Sequence, residues 1–411
     1  MARSRADAAP DRVNGWSLPL QKAFVLGDAD LIRPLRKAGI VCAAALLPGD
    51  ATRLSRYVES SVEPMDRWNE QADYVERLTE WALGQVETPV LFYQTDGDLV
   101  MVSRHRDVLA RAFRFVIPDA ELVEALVDKG RFADLAARLD LPVPRSRRFR
   151  PEEAEIAEEL TFPLIVKPAS HQHFTRMDIY GKAVRVDDAG QVRALCEPLR
   201  GSGVELLAQE FIPGPESRIE SYHAYVDGTG AVVGEFTGRK IRTYPREFGH
   251  TSALEISDSS DVLQLGREVL LRLGLRGVAK ADFKRAADGR LFLLEVNPRF
   301  NLWHSAGAEA GVNLPAAVYG DLTDGTRPPL GPVRPGTTWW APQRDWWAVN
   351  AGEGSRREWW AMLMRADVRS GFDWDDPRPA VRGLLWPHLR RKWRRDPPVR
   401  GDRGAPVHRP T

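Results

Sequence analysis

Two carboxylates and a carboxamide stand close together in two short stretches, Ala281-Asp282-Phe283 and Glu295-Val296-Asn297-Pro298-Arg299. Asp288-Gly289 between them is a preferred two-residue hairpin turn. A turn there sets Asp282 opposite Glu295 and Lys280 opposite Asn297 on one face. The other face takes Ala281, Phe283, Leu294 and Val296 and reads as core. Opposed carboxylates repel unless a cation sits between them. Oxygen donors of this kind suit Mg2+, with phosphate oxygens and water completing the shell. The plainer reading is a solvated face on which Lys280 neutralises one acid. A longer, four-residue loop would slip the pairing to a diagonal.

Lysine is scarce here, nine of 58 basic residues, so each one is worth locating. Lys167 in Phe162-Pro163-Leu164-Ile165-Val166-Lys167-Pro168 ends an apolar strand, where it is either a phosphate ligand or a snorkelling surface residue. Lys129 follows Asp128, a candidate helix N-cap, and a helix N-terminus plus a lysine favours anions. Gln209-Glu210-Phe211-Ile212-Pro213-Gly214-Pro215-Glu216 reads as a strand running into a rigid turn. Its backbone edge and the apolar Phe211 and Ile212 suit a flat purine; a plain turn is the alternative.

These residues need a framework, and the chain is long enough to supply one. It has 411 residues, 43% apolar and 28% charged, with a net charge of +1. That excludes disorder over most of its length and gives no general polyanion-binding signal. Two cysteines, Cys42 and Cys196, make no disulfide framework, so a reducing compartment is expected. The N-terminus lacks an apolar signal core, and no stretch reaches the roughly 18–20 apolar residues of a membrane span. A cytoplasmic protein is expected.

Residues 1–20 read as a flexible tail. Ala23–Gly27, the stretch 29–37 and Ile40–Leu46 alternate as strand, helix and strand, which implies a parallel sheet. Val90–Tyr93 is a further strand, followed by Asp96-Gly97-Asp98 as a turn. Residues 119–140 read as two helices broken near Gly130. Beyond them, strands at 162–168, 183–186, 206–212, 219–226, 231–240, 277–284 and 290–297 alternate with helices at 189–199, 259–274 and 305–310. This is an α+β body. Gly27 is no dinucleotide fingerprint, because no G-x-G-x-x-G surrounds it.

Taken together and in order, these segments resemble the ATP-grasp superfamily over about residues 118–325. The stretch VDKGRFADLAARLDLPVP is similar to the entry helices, with Lys129 as first ATP-contacting lysine, and FPLIVKP to the strand carrying the second, Lys167. AQEFIPGPE is similar to the adenine hinge: the resemblance puts Gln209 by the adenine amino group, Glu210, Phe211 and Ile212 along the base, and Glu216 on the ribose. By the same resemblance Asp282, Glu295 and Asn297 bind Mg2+, or Mn2+ in its place, and Arg299 steadies an acyl phosphate. GRKIRTYPREFGHTSALE, with Arg239 and Lys240 as catalytic candidates, is similar to a stretch of carboxylate–amine ligases near D-aspartate ligase. The implied activity is ATP-dependent activation of a carboxylate as an acyl phosphate, then transfer to an amine with release of ADP and phosphate. The alternative is a silent ATP-binding module that acts through its C-terminal arm.

The resemblance implies a pre-ATP-grasp domain at 21–117 and an ATP-grasp domain at 118–330 with a lid at about 160–212; the shift in composition after Gly331 marks a Trp-rich extension at 331–395 and a disordered basic tail at 396–411. The phosphate-covering loop departs from the pattern. Ala169-Ser170-His171-Gln172-His173-Phe174-Thr175-Arg176 holds no glycine, so His171, His173 or Arg176 would have to cover phosphate by side chain; a zinc pair at the two histidines is a lesser reading. Nine of the 13 tryptophans lie between 339 and 393, with adjacent pairs at 339–340, 346–347 and 359–360. A cap on the ATP-grasp body, peripheral membrane contact through the aromatic and basic segment 384–395, and nucleic-acid contact compete there. No nucleic-acid-reading motif accompanies the charge. The expected partners are small-molecule carboxylates and amines.

Overall fold

A computed structural model describes residues 21–169, 183–246 and 249–382. The stretches 1–20, 170–182, 247–248 and 383–411 lie outside it. The expectations for both tails, for the basic segment 384–395 and for His171, His173 and Arg176 therefore fall outside the described residues.

The N-terminal unit holds β1 (Ala23–Leu26), α1 (Ala29–Lys37), β2 (Cys42–Ala45), β3 (Val58–Val62), α2 (Gln71–Leu83), β4 (Val90–Tyr93), α3 (Asp96–Arg104) and α4 (Arg106–Leu109). Its sheet is parallel, in the order β3-β2-β1-β4. β1, β2 and β4 are buried along their whole length, which is why AFVL, CAAA and VLFY are unbroken small or apolar runs. Asp96-Gly97-Asp98 is not a turn between elements. It is the first turn of α3, nucleated by a reciprocal capping box between Thr95 and Asp98.

Next come α5 (Ala120–Val127) and α6 (Lys129–Arg138). The break between them is at Asp128, two residues before the glycine. Asp128 is extended, and its carboxylate accepts from Arg131 N at 2.8 Å, so it ends one helix and caps the next. A second, antiparallel sheet follows, built from β5 (Ser146–Phe149), β6 (Leu164–Pro168), β7 (Val184–Val186) and β8 (Leu206–Glu210) in the order β5-β8-β6-β7. It packs on α7 (Ala189–Cys196) through Leu164, Val166, Val192 and Leu206.

The third sheet contains β9 (Ile219–Val226), β10 (Val232–Tyr244), β11 (His250–Ser257), β12 (Gly277–Arg285) and β13 (Leu291–Asn297), with α8 (Ser260–Arg272) on one face. α9 (Trp303–Glu309) and α10 (Leu314–Leu322) lie against the other, where they meet the N-terminal unit. Two glycines set these contacts. A Cβ on Gly266 of α8 would stand 2.2 Å from Tyr222 Cγ, and one on Gly307 of α9 would stand 2.4 Å from the Phe236 ring.

The Trp-rich extension completes this sheet. β14 (Thr338–Trp340) and β15 (Val368–Arg369) give the order β13-β12-β9-β10-β11-β14-β15, with α11 (Pro342–Asn350) and α12 (Arg356–Arg365) between them. Trp339 and Trp340 are on a strand, so they point to opposite faces and both are buried. Trp339 donates to Asp30 of α1 at 2.9 Å. Trp340 donates to Asp345 at 2.8 Å; that fully buried carboxylate also takes both Nε and Nη2 of Arg242 at 2.8 Å and Ser252 Oγ at 2.9 Å. Phe372–Pro377 is a loop that docks on the N-terminal unit through Ser55 and Arg56 to Asp376. The extension is thus a strap across sheet and N-terminal unit. Trp347 and Trp360 remain exposed. Among the described residues no helix is long and apolar enough to cross a membrane.

Candidate functional site

The hairpin pairs Asp282 with Glu295 and Lys280 with Asn297, as its turn residues suggest, but by a different route. The connection is a three-residue loop, Ala287-Asp288-Gly289, closed by Ala286 N to Arg290 O at 2.8 Å, with Gly289 at φ +89°. That loop shifts the register by one near the turn. A bulge at Leu294 shifts it back before the carboxylates. The core position expected for Leu294 is therefore filled by Leu293, and Leu294 lines a cleft instead.

Asp282 lies under the surface, only 3% exposed. Lys280 Nζ is 2.6 Å from one of its oxygens, and Ser221 of β9 donates to the other. Burial pushes this carboxyl up, but Lys280, then Lys240, and the bonds from Lys280 and Ser221 outweigh burial and hold it below its usual range. Glu295 is exposed and accepts from Asn297 Nδ2 at 3.0 Å. With Lys280 balancing Asp282, Glu295 is left as the uncompensated charge of the pair.

Glu295 and Asn297 face a cleft of about 690 Å3, counting the solvent at its mouth. Lys129 at the start of α6, Lys167 at the end of β6 and Gln209 near the end of β8 line the same cleft, with Leu126, Phe132, Val143 and Leu294 as apolar wall. Lys167 donates to Gln209 Oε1 at 3.1 Å. Burial, and then the neighbouring charge of Lys129, push the Lys167 ammonium down to about 8, against the pull of Glu295. Two lysines on one side and a carboxylate with a carboxamide on the other make a polar vise inside apolar walls, the usual make-up of a small-molecule site.

The remaining candidates border the cleft or stand away from it. Glu210 accepts from Thr161 N at 3.0 Å, and Phe211 lies under the Arg185 guanidinium, 4.9 Å from its carbon to the ring centre. Ile212 follows them in the turn. Glu216 is 3.6 Å from the buried Lys284. Arg239 pairs with Glu255 at 2.6 Å, on the opposite side of β10 from Gly238, whose missing Cβ makes room for Trp303. That puts Arg239 apart from the cleft group, whereas the next residue, Lys240, is near enough to act on Asp282. Arg299 turns toward the N-terminal unit: Nε meets Asp96 at 2.5 Å and Nη1 meets Gln94 O at 2.9 Å.

No local pattern pointed to Asp96 or Ser221 as site neighbours, because each is more than 60 residues from its partner. Two buried histidines were also unmarked. His223 and His304 are fully buried, with ring centroids 5.9 Å apart, against Phe236 and Phe300, and no ring nitrogen of either meets a hydrogen-bond partner. Burial drives both well below the usual histidine range, His304 to about 3.

The donors of Asp282, Glu295 and Asn297 are all hard oxygens, which fits Mg2+. Among the described residues no group of three or more histidine, cysteine, aspartate or glutamate side chains is arranged to hold a metal.

No protein-family model matches the chain. In sequence it is similar to D-aspartate ligase of Enterococcus faecium, 26% identical over 216 residues, which is 50% of this chain and 51% of that protein. It is also similar to D-alanine–D-alanine ligase of Pseudomonas fluorescens, 28% identical over 178 residues, 42% of this chain and 53% of that one. The matches thus span about half the length of these relatives. Among solved structures it is similar to an L-amino acid ligase from Bacillus licheniformis (TM-score 0.57, 16% identity, 77% of this chain and 78% of that). It is likewise similar to an ADP complex of N5-carboxyaminoimidazole ribonucleotide synthetase (TM-score 0.59, 12% identity, 77% and 81%). The biotin carboxylase domain of Hydrogenobacter thermophilus 2-oxoglutarate carboxylase, solved with MgADP and bicarbonate, matches at TM-score 0.58 and 16% identity over 77% of this chain and 73% of that. The chain has the ATP-grasp fold, with an α/β unit before it and a Trp-rich extension after it, and its sequence is similar to those of D-aspartate and D-alanine–D-alanine ligases.

Proposed function

We propose that the chain is an ATP-dependent, ADP-forming carboxylate–amine ligase. The observation that carries this is the single cleft in which Lys129 and Lys167 face Glu295 and Asn297. Phosphoryl transfer needs charge neutralised on both sides of the β- and γ-phosphates. The lysines would do so from one side. Asp282, Glu295 and Asn297 would hold Mg2+ on the other, where the ion supplies charge neutralisation to the phosphate oxygens. Gln209 and the Glu210–Ile212 segment would border the base, Glu216 the ribose, and Lys240 the phosphate end beside Asp282.

In this reading a carboxylate oxygen attacks the γ-phosphorus and ADP leaves. The amine nitrogen then attacks the acyl carbon, loses its proton and releases phosphate. Arg299 Nη2 offers a donor to the acyl phosphate and to the oxyanion that follows. The unit built on β5–β8 would close over the site as a lid, because an acyl phosphate must be kept from water. Small carboxylates and amines are the partners.

The test is nucleotide release from pure protein with Mg-ATP and pools of D- and L-amino acids and other carboxylates. Hydroxylamine traps acyl phosphate, and Glu295→Ala is the control. Pool-dependent ADP with a hydroxamate, abolished in Glu295→Ala, supports the proposal. AMP in place of ADP refutes the acyl-phosphate route, and full activity in Glu295→Ala refutes the site.

A further inference from the structure

Resting on the ligase reading, we propose that Asp96, in the N-terminal unit, is a positioning residue that aims Arg299 at the reacting acyl group. One guanidinium carries five N–H groups in a fixed fork. Arg299 Nε donates to Asp96 Oδ1 at 2.5 Å, and Nη1 to Gln94 O at 2.9 Å and Phe300 O at 3.4 Å. Nη2 makes one long bond, to Asn297 Oδ1 at 3.4 Å, and Asn297 lines the cleft. Asp96 itself lines the cleft with Lys129, Lys167, Glu295 and Asn297. One edge of the fork is therefore held by the N-terminal unit, and the other, through Nη2, meets only Asn297 among the described residues, a residue of the cleft wall.

Asp96 is itself held still, and by other groups. It opens α3, but the cap of that helix is made by its neighbours. Asp98, fully buried, accepts from Thr95 N at 3.2 Å, from Thr95 Oγ1 at 2.7 Å and from Arg67 Nε. Between the two aspartates, a Cβ on Gly97 would stand 3.1 Å from Arg67 Cβ and 3.2 Å from Trp68 Nε1, so the loop before α2 packs directly on this turn. The end of β4 is tied to the segment that carries the arginine, just beyond β13, by Phe300 N to Tyr93 O at 3.3 Å. The Asp96 side chain is free of capping duty, and among the described residues Arg299 is its only hydrogen-bond partner. With 46% of its side chain exposed, the ion pair adds little to stability, so its geometry points to placement instead.

The test uses Asp96→Asn, Asp96→Ala, Arg299→Lys and the double variant Asp96→Asn/Arg299→Lys, assayed by ADP release with hydroxamate trapping. Misaiming a donor by about 1 Å costs on the order of 100-fold. Both Asp96 variants are expected to lower kcat about 10–100-fold, with the Mg-ATP dissociation constant and the melting temperature unchanged. In the Arg299→Lys background, Asp96→Asn is expected to change kcat less than about twofold, because the group it aims is gone. Wild-type turnover with kcat kept in both Asp96 variants overturns the positioning role and leaves the ligase reading standing. So do losses that multiply in the double variant, and so does a loss confined to Mg-ATP affinity. A wild type that forms no acyl phosphate with any pool overturns both.

Discussion

Raising the pH from 7 to 9 should weaken Mg-ATP binding about tenfold, and Lys167 is the reason. Its ammonium is pushed down to about 8 by burial and by Lys129. Bound phosphates favour the charged form, so the complex keeps a proton that the free protein releases near pH 8. The sign follows: binding takes up protons, and affinity falls as pH rises through the free-protein value. About 90% of Lys167 is protonated at pH 7 and about 10% at pH 9, so the dissociation constant rises about tenfold, or about 1.3 kcal/mol. The γ-phosphate has lost its own proton by about pH 7.5 and does not confuse the upper part of the range. Titration calorimetry in two buffers of different ionisation enthalpy reads the proton count directly, and about half a proton should be taken up per ATP at pH 8. Lys167→Gln should bind weakly with no step. Lys129→Gln should move the step to higher pH, because one of the charges depressing Lys167 is removed. A dissociation constant that is flat from pH 7 to 9 in the wild type, or an unchanged step in Lys167→Gln, refutes the reasoning.

Other outcomes follow from the same structure. His304 stays neutral in the fold down to about pH 3, while an exposed histidine titrates near 6.5, so the unfolded chain binds the extra proton. Stability should therefore fall by about 1.4 kcal/mol per pH unit from His304 alone below pH 6.5. His304→Phe should flatten the loss seen by urea denaturation between pH 7 and 5, and an unchanged slope contradicts this. Asp345→Ala leaves the buried Arg242 with the exposed Glu358, 3.6 Å away, in place of its close bidentate partner and should cost about 3–5 kcal/mol, read as a lowered urea midpoint; a neutral result would show that the strap is not fastened there. Gly266→Ala drives a methyl into the Tyr222 ring and should cost about 1–3 kcal/mol with no change in Mg-ATP affinity, since α8 packs on the Ala281 and Phe283 face of the sheet, opposite the face that carries Asp282. A stable Gly266→Ala protein would show that α8 can shift freely.

The strands of the N-terminal sheet were legible because burial on both faces leaves continuous apolar runs such as AFVL and VLFY. β3, with the sequence VESSV, carries no such signal and is placed by its neighbour β2. The pairing of Asp282 with Glu295 was read from a two-residue turn. The actual three-residue loop and the bulge at Leu294 cancel, and no periodicity argument sees such a pair of offsets. Adjacent tryptophans do not say whether they sit on a strand or a helix: Trp339-Trp340 is on a strand that buries both, whereas the pairs on α11 and α12 each leave one ring exposed. Lys129 and Lys167 could be picked out as scarce lysines at element ends, but their place in one cleft needs the start of α6 brought to the end of β6, as Gly130 N to Ala169 O at 3.2 Å does. Arg299 and Asp96 are 203 residues apart, and nothing local announces their contact.

The central claim is that a carboxylate oxygen attacks the γ-phosphorus. Once the hydroxamate assay has named an accepted carboxylate, that compound labelled with 18O in its carboxyl group should be turned over and the released phosphate weighed by mass spectrometry. The account predicts one 18O atom in each phosphate and ADP as the only nucleotide product. Unlabelled phosphate, or AMP bearing the label, would contradict it.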